Sequence, residues 1–188
     1  MNSPIGCARA LSADTIAEVF DRCFLASHNT RLRGAAPEPL YEPATGDTPA
    51  LIHFREDYAA SALHEVAHWC IAGRERRQQV DYGYWYAADG RSEAQQRRFM
   101  RVEARPQALE WCFSQAAGLG FRLSLDNLDA PPTAAQRQRF AAAVHAAAQR
   151  LRERGLPVRA QRFFSALAGV SGAAVCPATL RFPISALR

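Results

Sequence analysis

The stretch His64-Glu65-Val66-Ala67-His68 constrains this chain more than any other, because two imidazoles four residues apart meet at one point only on an α-helix. In that geometry both rings reach one metal ion while Glu65 points beside it. The neighbours permit the helix: Ala59, Ala60, Ala62, Leu63, Cys70, Ile71 and Ala72 are helix formers or small core residues. A chain of this composition contains the pattern by chance with a probability of roughly 0.007. The competing account is a helix whose two histidines find ordinary core or surface partners. Neutral imidazoles on an apolar segment need partners, and a metal is the simplest.

Two histidines do not complete a site. After His68 the chain reads Trp69-Cys70-Ile71-Ala72-Gly73-Arg74, which lacks the third histidine of metzincins. The remaining histidines are His28, His53 and His145. A carboxylate from a later helix is the other common solution, and Glu103, Gln107 and Glu110 stand at i, i+4 and i+7 on a core-like segment. Glu103 is the favoured third ligand, and Glu110 can equally orient a ligating histidine. Two histidines and a carboxylate serve two chemistries. With zinc, Glu65 takes a proton from metal-bound water in a hydrolase; with Fe(II), the open positions belong to an oxygenase. A third account keeps the metal as a structural clamp in a binding module, with four protein ligands closing the site.

Around this motif the periodicity predicts an α+β fold dominated by helices, a single domain over 1–188 with its core at about 12–169 and an irregular tail at 170–188. Ser12 caps a helix over 13–26, with Leu11 and Ile16 as a hydrophobic staple. Residues 29–48 carry Gly34, Pro37, Pro39, Pro43 and Gly46 and read as a loop, with at most an edge strand near Leu40 and Tyr41. A strand follows at 51–55. Asp57 caps the motif helix over 58–72, and Gly73 ends it. Residues 79–86 read as an aromatic strand before an Asp89-Gly90 turn. A helix starts at Ser92 and stops near Gly118, with a break or kink within 102–105 imposed by Pro106. Residues 121–125 form another candidate strand. Thr133 and Gln136 make a capping box for a helix to about Arg154 closed by Gly155, and Pro157 starts a last helix to about Ala168.

Composition narrows the chemistry. All 23 basic residues are arginine, so Schiff-base chemistry, pyridoxal phosphate attachment and the P-loop lysine are excluded. Five cysteines without a CxxC pair read as reduced thiols of a cytoplasmic protein, and no apolar run is long enough for a membrane span. The run Asp81-Tyr82-Gly83-Tyr84-Trp85-Tyr86 is either a strand packed on the core or a pocket wall. As a wall, Tyr82, Tyr84 and Tyr86 take a cationic side chain, with Asp81 or Asp89 as counter-charge. Arg74, Arg76 and Arg77, with Arg97, Arg98 and Arg101, suit an acidic partner or a solvated face, and no nucleic-acid motif accompanies them.

Several stretches together resemble the bacterial elongation factor P hydroxylases. They are 60–73 around the motif, Val80-Asp81-Tyr82-Gly83-Tyr84-Trp85-Tyr86 with Asp89-Gly90-Arg91, Val102-Glu103, and Pro106-Gln107-Ala108-Leu109-Glu110-Trp111. Asn29-Thr30-Arg31-Leu32 and Asp126-Asn127-Leu128 belong to the same resemblance, which spans most of 16–165. It implies metal-dependent hydroxylation of the β-lysyl-extended lysine of elongation factor P. It also implies a fold similar to small HExxH metalloproteins, with a short sheet beside the metal-binding helix, and not the jelly roll of 2-oxoglutarate oxygenases.

The expectation is therefore a cytoplasmic non-haem iron monooxygenase, with His64, His68 and Glu103 as ligands and Glu65 as the adjacent acid/base. Its rival is a small zinc peptidase using the same four residues. The expected partner is elongation factor P as an acidic protein, steered by the net charge of +5 and by rim arginines Arg74, Arg76 and Arg77. No membrane and no nucleic acid are expected as partners.

Overall fold

The computed structural model describes residues 8–81, 92–125 and 131–187. The expected aromatic face of Tyr82, Tyr84 and Tyr86, with Trp85, Asp89 and Asp126-Asn127-Leu128, lies outside the described residues. Helices dominate: α1 (Ala13–His28), α2 (Ala59–Ile71), α3 (Glu93–Ala116), α4 (Ala134–Arg154) and α5 (Val158–Ser171). A small sheet of β1 (Thr30–Ala36), β2 (Leu40–Glu42) and β3 (Ala50–Arg55) packs beside α1 and α2. Its order is β1-β3-β2, with β1 parallel and β2 antiparallel to the central β3.

Local chemistry explains most element ends. The Ser12 side chain accepts from the Thr15 N–H, and Thr133 with Gln136 forms the reciprocal capping box of α4. In α1, Ile16, Val19, Phe20, Cys23 and Phe24 are buried along one stripe, as their spacing requires. The stripe meets Trp69 of α2 and Phe163 of α5, with Phe24 4.8 Å from Trp69 and Phe20 5.9 Å from Phe163, centroid to centroid. Each such ring contributes about 1.5–3 kcal/mol by leaving water. In β3, Ala50, Ile52 and Phe54 alternate inward onto this core.

Four expectations need correction. Residues 30–36, read as loop, form β1: Thr30 and Leu32 are buried, Asp21 of α1 accepts from the Leu32 N–H, and the register follows β3 from Thr30–Ala50 to Arg33–His53. The glycine that argued against a strand is required there, since a Cβ on Gly34 would stand 2.7 Å from the Phe54 ring. The bulge between Arg33 and Ala36 follows it. Second, Tyr58 rather than Asp57 is the N-cap of α2, without a side-chain bond, and the helix ends at Ile71 with Ala72 as C-cap rather than at Gly73.

Third, α3 runs unbroken through Pro106. Proline removes only the bond to the Val102 carbonyl, and Val102 lies 39 % exposed, where water can reach it. Fourth, residues 121–125 are not a strand, because the Ser124 backbone pairs with the side chain of Gln107 instead of with another chain segment. Of the expected strand at 79–86, the described part holds only an isolated bridge between Asp81 and Tyr41. α5 continues three residues past the expected end, and beyond it Leu180, Phe182 and Leu187 are buried, with Phe182 4.9 Å from Trp111. Among the described residues no helix is long and apolar enough to cross a membrane. Cys23, Cys70 and Cys112 are buried free thiols and Cys176 is exposed.

Candidate metal centre

On α2 the core face consists of Ala62, Leu63, Val66, Ala67, Trp69 and Cys70, all buried. His64 and His68 project one turn apart from the side covered by α3, and their rings lie 4.7 Å apart. Their Nε2 atoms face each other at 3.1 Å. From α3, Glu103 places Oε2 3.5 Å from His64 Nε2 and Oε1 3.3 Å from His68 Nε2. The three donors lie within 4.8 Å of one another. Two nitrogens each about 2.05 Å from one ion stand roughly 3.3 Å apart at a tetrahedral angle. The donor set and spacing therefore fit a divalent ion.

Glu110, the other candidate, sits on the far side of the same imidazole. The Nδ1–H of His64 donates to Glu110 Oε2 at 2.8 Å, which leaves Nε2 as the atom with a lone pair for an ion. Gln107, the third member of the expected stripe, turns its amide to the Ser124 backbone. The other histidines go elsewhere. His53 pairs with Glu42 at 2.7 Å across the sheet, His28 stands edge-on to Phe24 and Trp69, and His145 meets Gln149.

Charge in the cluster is unbalanced in the direction a cation corrects. Burial opposes a charge on His64, yet the hydrogen bond it donates to Glu110 and the charges of Glu110, Glu103 and Glu65 push its pKa up to about 10. Burial likewise opposes the Glu103 carboxylate, but His68 and His64, with a hydrogen bond from Gln107, hold it down at about 2. Glu65 is raised, chiefly by burial. In a cluster of three carboxylates and two imidazoles, a proton on His64 occupies the role that a metal ion fills better.

Two recesses open onto this cluster. One, of about 360 Å³, is walled by His64, His68 and Glu103 with Phe99, Gln107 and Ser124. The other, of about 400 Å³, shares Glu65 and His68 and adds Tyr41, Ile52, Trp69 and Asp81. Asp81 thus lines a recess shared with Glu65 and His68, and Arg76 Nε donates to it at 2.5 Å, so neither is an independent charge. Of the expected rim arginines, Arg74 is exposed and Arg77 stands 5.7 Å over the Trp69 ring.

Sequence reasoning did not find Arg159, which comes from α5. Its Nη2 donates to the carbonyls of Trp69, Cys70 and Ala72 at 3.0, 3.1 and 2.6 Å, and its guanidinium lies 4.9 Å over the Trp69 ring. With no left-handed residue closing α2, this cation satisfies the last carbonyls of the helix that bears His68. Arg159→Met is expected to cost about 2 kcal/mol and lower Tm by roughly 4–8 °C. A thermal melt unchanged within one degree would remove this capping role. No local pattern links residue 159 to residue 72; only the tertiary fold does.

A relative from Haemophilus influenzae named elongation factor P lysine hydroxylase is 45 % identical over 155 residues, covering 82 % of this chain and 86 % of the relative. The family model described as elongation factor P hydroxylase matches residues 19–178, a range that takes in the motif helix, Glu103, Glu110 and Arg159. On that match, with the resemblance noted in its motifs, this chain belongs to the elongation factor P hydroxylase family.

Proposed function

We propose that this chain is a metal-dependent hydroxylase acting on the modified lysine side chain of elongation factor P. His64, His68 and Glu103 serve as its metal ligands and Glu65 as its acid/base. The observation that carries the reading is the convergence of those three donors from α2 and α3 in a chain that belongs to this family. Among the described residues three donors converge rather than four, which leaves positions for reactants and disfavours a structural clamp. A redox-active ion, here iron, supplies the electron transfer that hydroxylation needs and zinc cannot provide. The zinc peptidase reading is disfavoured by the same point, since the family is named for hydroxylation. The motif helix beside a small sheet is in keeping with small HExxH metalloproteins.

The residues divide the work. Glu110 fixes the ring of His64 through Nδ1, so that Nε2 faces the site. Glu65, half-buried between the two recesses, is placed to hold or deliver a proton at their junction. Phe99 and Trp69 give apolar walls against which the aliphatic part of a long side chain packs, while the carboxylates favour its ammonium groups. An acidic surface on the substrate protein is steered by the net charge of +5, without nucleic acid or membrane, and a translation factor as substrate supports a cytoplasmic reaction.

The test is the intact mass of elongation factor P purified from cells with and without this chain. The factor should be lighter by one oxygen atom when the chain is absent, and restored when it is supplied. Equal masses in the two strains would overturn the reading.

A further inference from the structure

Gln107 is buried to 1 % exposure on α3, one turn beyond Glu103 and one turn before Glu110. Its carboxamide is used on both sides. Nε2 donates to the Ser124 carbonyl at 2.7 Å, and the Ser124 N–H donates to Oε1 at 3.1 Å, the two-point pairing that a neighbouring strand would otherwise offer. Gln107, Ser124 and Glu103 line the same recess as His64 and His68. One buried amide on the helix that bears Glu103 and Glu110 therefore holds the backbone of the segment opposite it.

We infer that Gln107 is a positioning residue that holds the 121–125 segment in place as a wall of the substrate recess. This rests on the reading of His64, His68 and Glu103 as a metal centre. The chemistry requires a carboxamide. A carboxylate at position 107 has no donor for the Ser124 carbonyl, and an apolar side chain pairs with neither the carbonyl nor the N–H of Ser124.

The experiment compares the wild-type chain with Gln107→Met and Ser124→Pro. It measures Fe(II) affinity by anaerobic titration, hydrogen exchange at the Ser124 amide, and KM and kcat with modified elongation factor P. Gln107→Met should release the Ser124 amide to fast exchange and raise KM, with Fe(II) affinity within about twofold of wild type. Ser124→Pro removes the bond to Oε1 and fixes the backbone at an exposed position, so it should likewise raise KM while Fe(II) affinity stays within about twofold of wild type. It keeps the wall under test should Gln107→Met fail to fold. Wild-type KM in either variant, or a Ser124 amide still protected in Gln107→Met, overturns the inference. A wild-type chain that binds no divalent ion overturns the metal-centre reading instead, a result distinct from either of these.

Discussion

Alanine at His64 or at His68 is expected to abolish metal retention and hydroxylation together while the chain stays folded. The three donors converge from two helices that are already held by a large core, so the fold does not wait for the ion. Removing one imidazole leaves a single nitrogen and one carboxylate, too few donors to hold a divalent ion against buffer. Glu103→Ala should behave in the same way. Glu110→Ala differs in kind, because Glu110 touches only Nδ1 of His64; it should keep the ion with affinity reduced about 10- to 100-fold. Elemental analysis of the four proteins, with circular dichroism as the fold check, decides the assignment. Stoichiometric metal in either histidine variant would remove the site, and metal retained by Glu103→Ala but lost by Glu110→Ala would exchange the two glutamates.

Glu65→Gln is expected to leave metal content intact and to lower kcat by about 10²–10⁴, the usual contribution of general acid/base work. Glu65 follows His64 directly, which turns it out of the ligand register, and it lines both recesses without belonging to the three-donor group. Glutamine keeps its size and one acceptor oxygen and removes the titratable group. Steady-state kinetics with modified elongation factor P, at fixed metal content, measures the effect. A kcat within twofold of wild type would take Glu65 out of the mechanism.

The centre was legible because its information is local. His64, Glu65 and His68 lie within five residues, and Glu103 and Glu110 declare themselves by helical spacing on a segment whose other residues are apolar. Choosing between the two glutamates was harder, since i and i+7 on a helix point the same way and only the placement of α2 against α3 separates Nε2 from Nδ1. The capped helices α1 and α4 were equally readable from Ser12 and from Thr133 with Gln136.

What could not be read depends on contacts distant in sequence. β1 looked like a loop because Gly34 and the prolines after it are poor strand residues, and its stability comes from pairing with β3 and from Asp21 of α1. The rule that proline breaks helices failed at Pro106, where α3 runs on past Val102, whose carbonyl loses its partner and whose surroundings are exposed. Residues 121–125 have a strand-like sequence but join no strand among the described residues, and a glutamine side chain takes its place. Arg159 belongs to the same class, since its three acceptors lie 87 to 90 residues away in the chain.

The account stands most directly on the identity of the metal that supports turnover. The chain, stripped of metal without air, is reconstituted with Fe(II) or with Zn(II) and given β-lysylated elongation factor P and oxygen with a reductant, and the product is read by intact mass. The iron-loaded chain should hold one ion per chain and add one oxygen atom to the factor, and the zinc-loaded chain should leave its mass unchanged. Hydroxylation by the zinc-loaded chain, or cleavage of a peptide bond by either form, would contradict the account.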